Sequence, residues 1–227
     1  MSHIPEHSIA FLKKIKANNN REWFHQNKDE YLKAHLGIVS FADALLLELQ
    51  KHDDIQTPSG KKSLYRIYRD VRFSKNKTPY NIHWSGGFKR ATNLLRGGYY
   101  FRLEHGNFII RGGFWGPNPK DLKRIREEID FNADAFRSVL ENKKLVKTFG
   151  GLIGDEVKTS PKGYSIDNPN IDLLRKKQFI LSKSFTLDEV LEPNYYKKAN
   201  ETFKDMRPFF DLMSDVLTTD ANGELIV

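Results

Sequence analysis

Cysteine is absent from the 227 residues of the sequence. This absence excludes disulfide bonds, thiolate metal sites and cysteine nucleophiles, and it fits a reducing compartment. No apolar run approaches the roughly 20 residues that a membrane-spanning helix needs. The opening seven residues lack the basic-then-apolar order of a secretion signal. We therefore expect a cytoplasmic protein with no membrane partner.

Motifs for cofactors and metals are also missing. The pair Gly86-Gly87 matches neither the Rossmann nor the Walker spacing. His3 and His7 stand four residues apart, a spacing that could hold a metal on a helix, but no third ligand accompanies them. We therefore predict no metal site and infer no cofactor.

Large apolar side chains are plentiful. Hydrophobic residues make up 39% of the chain and charged residues 29%, with 16 Phe, 9 Tyr and 3 Trp. This composition offers enough apolar surface to offset the entropy of ordering the chain, which a disordered composition cannot do. The length suits one sizeable core. We expect a single globular domain over residues 1–227.

The arrangement of elements predicts an α+β fold. Residues 8–51 have helical spacing, with Asn20 as an N-cap. Two β-rich segments, 99–104 and 108–115, flank a three-residue turn that contains Gly106, which predicts a β-hairpin. A helix should begin at Asn118-Pro119. We expect a mainly antiparallel sheet packed by helices from both ends of the chain.

Four further expectations concern single elements. Tyr, Ile, Val and Phe in Leu64–Phe73 favour a strand, with Tyr65, Ile67, Arg69, Val71 and Phe73 on one face. Gly112-Gly113 predicts a bulge or a close approach of two backbones. Helices are expected over 132–145 and over 194–217, the latter kinked at Pro208.

Positive charge is concentrated in one stretch. Between Lys61 and Thr78 there are seven cations and one anion, so most of the formal net charge of +8 lies there. Such a local field favours an anionic partner: phosphate, carboxylate or a nucleic-acid backbone. The cations are Lys61, Lys62, Arg66, Arg69, Arg72, Lys75 and Lys77.

Within this stretch, residues 66–80 are predicted to build an anion pocket. Arginine forks suit bidentate recognition of phosphate or carboxylate, and lysine adds mobile charge. Lys162, in a Pro-Lys-Gly turn, could close the pocket. The predicted ligand-binding residues are Arg66, Arg69, Arg72, Lys75, Lys77, Tyr80 and Lys162. The alternative is a solvated basic face, or a structural ion-pair network around Asp70.

Candidates for proton transfer are few. Asp70 has cationic neighbours that should keep it ionised, so it suits orienting an arginine better than acting as a general base. His83 could exchange protons near neutral pH, although an isolated histidine often only packs. Asn19 and Arg21 at a helix start could line a polar site, whereas Trp23 and Phe24 are expected in the core or in a lid. The catalytic residues, if there are any, stay unassigned.

Several segments together resemble a family of uncharacterised bacterial and fungal proteins, a domain of unknown function. The resemblance covers residues 9–217 and includes Arg-Glu-Trp-Phe at 21–24, the block 66–80, Gly-Gly-Phe-Trp at 112–115 and Pro-Lys-Gly at 161–163. It implies that the basic block and Lys162 belong to a shared pattern, and it supplies no catalytic assignment. The sequence departs from the pattern at Asn81-Ile82 and at Asn168, where the family tends to have Lys-Thr and His. A catalytic role for that His in relatives would have no counterpart here.

Three functional interpretations follow from these residues. The first is binding of a phosphate-bearing or other anionic ligand, with nucleic acid as one version, because Tyr65, Tyr68, Phe73 and Tyr80 interleave with the cations. The second is an enzyme that uses the same cations to stabilise negative charge. The third is a structural or protein-interaction module. The sequence leaves ligand identity and oligomeric state open.

Overall fold

The computed structural model describes residues 3–220 and 222–226. Met1 and Ser2, part of the opening stretch considered for a secretion signal, lie outside these residues. The described part contains eleven helices and four strands, an α+β fold as predicted. In chain order they are α1 (Glu6–Ala17), α2 (Arg21–Gln26), α3 (Lys28–Leu49), α4 (Gly60–Ser63), β1 (His83–Lys89), β2 (Gly98–Glu104), β3 (Asn107–Phe114), α5 (Pro119–Phe131), α6 (Ala133–Leu140), α7 (Lys143–Phe149), α8 (Ile171–Leu174), β4 (Phe179–Phe185), α9 (Leu187–Leu191), α10 (Tyr195–Asp205) and α11 (Arg207–Thr218).

The strands form one antiparallel sheet in the order β1-β2-β3-β4. Strands β2 and β3 are the predicted hairpin, and their turn is one residue shorter than expected, with Gly106 at φ +79°. Along β2, buried side chains alternate with half-buried ones, so one face of this strand is buried. Among the described residues, no helix is both long and apolar enough to cross a membrane.

The two helix caps predicted from the sequence are confirmed. The Asn20 side chain accepts a hydrogen bond from the Trp23 amide at 2.9 Å, and the Asn118 side chain accepts one from the Asp121 amide at 2.9 Å. Both caps satisfy amides that would otherwise be orphaned at a helix start. Helices α2 and α5 therefore begin where the sequence indicated.

Two long helices were predicted where the structure has breaks. The segment 132–145 divides between α6 and α7, and 194–217 divides between α10 and α11. Asn142 caps α7 by accepting from the Lys144 amide, which restarts the helix. Pro208 occupies the first turn of α11, so a new helix begins there and the predicted kink is wrong.

By its contacts the chain groups into two compact units. The first comprises the described residues up to Phe88, with Tyr100–Ile110 and Ser184–Glu201. In its core the Phe41 ring lies 5.5 Å from Phe101 and 5.7 Å from Tyr195, centroid to centroid. The prediction of a single domain stays a prediction.

The second unit comprises Lys89–Tyr99, Arg111–Lys183 and the described residues from Thr202 onward. The Tyr99 ring packs between Phe203 and Phe210, at 4.8 and 5.0 Å. Gly113 has φ +145°, and a Cβ there would lie 2.1 Å from the Phe179 carbonyl oxygen. The close backbone approach predicted for the Gly112-Gly113 pair is confirmed.

Candidate functional site

Residues 66–80, called the basic loop from here on, form an irregular loop in the first unit. Its two ends run antiparallel through the isolated bridge between Tyr68 and Tyr80, and just before the loop Leu64 forms a bridge with Gly86 of β1. The strand predicted for Leu64–Phe73 was wrong. Within that segment the Asp70 side chain accepts a hydrogen bond from the Arg72 amide and turns the chain. The alternation also fails: of the residues assigned to one face, Ile67 is buried and Phe73 is 97% exposed.

Hydrogen bonds within the basic loop fix the conformation of residues 70–77. The Arg72 guanidinium donates to the Asp70 carboxylate at 2.6 Å, and this hydrogen bond lowers the pKa of Asp70. The Lys77 ammonium donates to the Val71 and Arg72 carbonyl oxygens at 3.0 and 3.3 Å. These groups are exposed, so the contacts shape the loop and contribute little stability.

A side-chain clamp joins the basic loop to the helices before it. Asn19, between α1 and α2, donates to the Tyr80 carbonyl oxygen at 2.9 Å and accepts from the Tyr80 amide at 3.1 Å. One asparagine therefore satisfies both backbone groups of Tyr80, as a neighbouring strand would. The clamp sets the base of the loop against α2.

A cavity of about 440 Å³ lies between α2, the start of α3 and the basic loop. Three of its lining side chains are cations, one is histidine, and none is a carboxylate. The lining residues are Arg21, Phe24, His25, Lys28, Tyr68, Arg69, Val71, Pro79 and Tyr80. A volume of this size suits a small molecule.

Aromatic rings form the apolar part of the cavity. The Phe24 and Tyr80 rings stack with centroids 4.1 Å apart, and Tyr68 meets Phe24 edge-on at 5.8 Å. Burial raises the pKa of Tyr80, so its phenol stays neutral. Behind them Tyr31 contacts Phe24 at 5.0 Å and Trp84 at 5.8 Å. The packed rings give the cavity a rigid wall.

Only some of the predicted site residues line this cavity. Arg69 and Tyr80 do; the Arg69 guanidinium also donates to the Thr78 carbonyl oxygen at 3.0 Å, which fixes its direction. Four predicted cations lie elsewhere on the exposed loop surface: Arg66, Arg72, Lys75 and Lys77. Lys162 is an exposed turn residue of the second unit and is not among the lining residues. The ligand-binding role of the whole set stays a prediction.

Three polar lining residues were not predicted as a group. Arg21 and His25 stand one helical turn apart on α2, and Lys28 begins α3. Arg21 had been considered for a polar site, and the spacing of Arg21 to His25 was the available signal. Nothing in the local sequence says that this face meets the basic loop, because the contact joins segments about sixty residues apart.

The candidates for proton transfer lie outside the cavity lining. His83, at the start of β1, is partly buried, and burial followed by the nearby Arg102 charge lowers its pKa to about 4. Its Nδ1 atom is buried and makes no hydrogen bond within the described residues. A ring of this pKa is neutral at pH 7 and a weak base. Among the described residues, no three His, Cys, Asp or Glu side chains are grouped to hold a metal ion.

Comparison with known proteins identifies a family for this chain. A family model described as "Conserved hypothetical protein (DUF2461)" matches residues 7–212. No curated protein matches the chain. No solved structure matches it. The match spans both compact units and every residue of the cavity lining, and it confirms the resemblance at the level of the family.

Proposed function

We propose that this chain, which belongs to the DUF2461 family of conserved hypothetical proteins, binds a phosphate-bearing or other anionic small molecule in the cavity beside the basic loop. The observation that supports this proposal is the charge of the lining, which has three cations, Arg21, Lys28 and Arg69, and no carboxylate among its nine residues. An anion placed there gains attraction from three cations and meets no like charge. We place this activity in the cytoplasm, in keeping with a chain that has no cysteine.

The aromatic rings of the cavity indicate which shape of ligand it would bind. Phe24, Tyr68 and Tyr80 present ring surface beside the cations. A ligand with a flat or apolar part next to its anionic group would use both surfaces, whereas inorganic phosphate would use only the charge. A nucleotide or an aromatic acid has this shape.

Nucleic acid is the second version of the same proposal. The outer cations of the basic loop and the exposed rings of Tyr65 and Tyr68 continue the basic and aromatic surface beyond the cavity. Such a surface suits a single strand, because bases stack on rings while phosphates follow the cations. Binding of a polyanion would weaken steeply with added salt, since counterion release scales with the phosphates contacted.

The experiment is thermal melting against a panel of phosphates, nucleotides, aromatic acids and short oligonucleotides. Three charge-matched double variants locate the site: Arg21→Gln with Lys28→Gln in the cavity, Arg66→Gln with Lys75→Gln on the outer loop, and Lys13→Gln with Lys16→Gln on α1 as control. We expect a panel compound to raise the melting temperature of the wild type and of the control, and to leave the cavity variant unshifted.

Other outcomes would change the assignment. Loss of the shift in the outer-loop variant alone would move the site from the cavity to the loop surface. Equal losses in all three variants would mean attraction by net charge without a site. No shift from any compound would contradict the proposal and favour the structural interpretation, for which the Asp70 to Arg72 pair is the supporting observation.

A further inference from the structure

A second concave surface lies wholly within the second unit and has the opposite charge. It is a groove of about 600 Å³ between α5, α6 and α11, and it is called the acidic groove from here on. Its lining residues are Arg124, Glu127, Glu128, Phe131, Asn132, Ala135, Leu212, Asp215, Val216, Thr219 and Asp220. No residue of the anion cavity takes part in it.

Carboxylates dominate the charge of this lining. The lining has four acidic side chains and one cation, Arg124, whose guanidinium donates to the Val216 and Thr219 carbonyl oxygens. Glu127 also pairs with Lys123 on α5 at 3.5 Å, which leaves Glu128 and Asp215 to supply most of the acidic field. Helices α5 and α11 both end beside the groove, at Phe131 and Thr218. Carbonyl oxygens at the end of α11 accept from Arg124, and the N-terminus of α6 at Ala133 directly follows the end of α5. The acidic field therefore comes from the carboxylates and not from the helix ends.

An exposed aromatic ring gives the groove an apolar contact point. Phe131 is 87% exposed at the end of α5. Leu212, Val216 and Ala135 contribute apolar lining nearby. Aromatic side chains supply much of the affinity at protein interfaces, so Phe131 offers a partner an apolar contact beside the carboxylates.

The lining argues against a small cation as the occupant. Within the residues that the structure describes, no group of three carboxylate or histidine side chains is arranged to hold a metal ion. The Asp220 carboxylate is already engaged, accepting from the Asn222 and Glu224 amides at 2.8 and 2.9 Å. The charge is spread along the groove, which matches a partner whose own charges are spread along a chain.

We propose that the acidic groove binds a basic amphipathic peptide segment of a partner protein, with lysine or arginine side chains facing the carboxylates and one large apolar side chain packing on Phe131. We choose a basic partner because its positive charges would complement the carboxylates of the groove. The protein as a whole is strongly cationic, with a formal net charge of +8. Most of that charge lies between Lys61 and Thr78, so a basic segment is repelled there and attracted at the acidic groove.

The test is fluorescence anisotropy with a labelled 12-residue peptide of five lysines, two leucines, one tryptophan and four alanines. The counterpart peptide has glutamate for every lysine. We expect the wild-type protein to bind the lysine peptide and not the glutamate peptide in the groove. Two variants should each weaken binding of the lysine peptide at least about tenfold. Phe131→Ala removes the apolar contact, and Glu128→Gln with Asp215→Asn removes two negative charges.

Matched controls separate a site from general charge. Phe73→Ala removes another exposed phenylalanine, and Asp167→Asn with Glu201→Gln removes two exposed carboxylates outside the groove. Both controls should bind like the wild type, and the melting temperature of every variant checks its folding.

Three results would overturn the proposal. The first is absence of lysine-peptide binding to the wild type at 100 μM protein. The second is equal weakening in the controls. The third is self-association in sedimentation that Phe131→Ala abolishes, because a second copy of the chain would then be the occupant. None of these measurements depends on the anion cavity.

Discussion

At the scale of single residues, the basic loop shows that identical side chains take different roles. Arg69 is half-buried, is held by Thr78 and lines the cavity, whereas Arg72 is exposed and paired with Asp70. A guanidinium whose charge is matched by a carboxylate adds little to the field that a ligand meets. Only part of the charge counted in the sequence therefore acts at the cavity.

His83 gives a pH-dependent prediction at the same scale. Its folded-state pKa of about 4 lies below the ordinary value of 6.5, so on acidification the unfolded chain takes up the proton first. The free energy of unfolding should therefore be highest above pH 6.5 and fall as the pH drops from 6.5 towards 4. The ring is partly exposed, so we expect a loss of about 1–2 kcal/mol from this residue.

Urea denaturation at pH 7.5, 5.5 and 4.5 measures this loss. His83→Gln should show a smaller decline with falling pH than the wild type. His105→Gln, in the exposed hairpin turn, should decline as steeply as the wild type. An NMR titration that places the His83 pKa near 6.5 in the folded protein would contradict the prediction.

At the scale of elements, local signals were enough to place caps and the hairpin. Asn20, Asn118 and Gly106 act within a few residues of themselves, so their patterns can be read from sequence alone. The α+β fold class was predicted from such local patterns. The boundaries that failed, inside 132–145 and 194–217, are single breaks in otherwise helical patterns.

Elements that depend on distant partners were not predictable in this way. Strand β1 was missed because Gly86 and Gly87 lower its β propensity. The reason for Gly86 is tertiary: a Cβ there would lie 2.8 Å from the Phe101 ring and 3.0 Å from the Ser63 carbonyl oxygen. The pairing of α2 with the basic loop was missed for the same reason, since it joins residues about sixty positions apart.

The Asn19 clamp makes that long-range link testable. Asn19→Ala removes one donor and one acceptor and leaves the amide and carbonyl of Tyr80 without these partners. Because the site is partly buried, we expect the free energy of unfolding to fall by about 1–3 kcal/mol. Urea denaturation at pH 7.5 gives the value.

Asn18→Ala is the matched control for the clamp. The Asn18 side chain donates an exposed hydrogen bond to the Lys14 carbonyl oxygen at 3.1 Å. Its loss should cost no more than about 0.5 kcal/mol. Equal costs for the two variants would mean that Asn19 does not hold the basic loop, and the cavity would then need another explanation for its shape.

At the scale of the whole molecule, charge is sorted by region. The basic loop and the cavity are cationic, whereas the acidic groove carries four carboxylates. Sorting of this kind places like charges close together. The crowding in the basic loop should destabilise the folded state at low ionic strength.

Salt should therefore raise the stability of the wild type. Between 20 and 200 mM NaCl we expect the melting temperature to rise by about 1–2 °C, because screening weakens repulsion between the exposed cations. Arg66→Gln with Lys75→Gln should melt higher than the wild type at 20 mM and gain less from salt. Lys13→Gln with Lys16→Gln removes the same formal charge from α1, outside the crowded stretch, and its melting temperature should rise with salt as that of the wild type does.

If both double variants responded alike to salt, total charge would be the cause of the rise in melting temperature. A fall in melting temperature with salt would mean that attraction within ion pairs, such as Asp70 with Arg72, outweighs the repulsion.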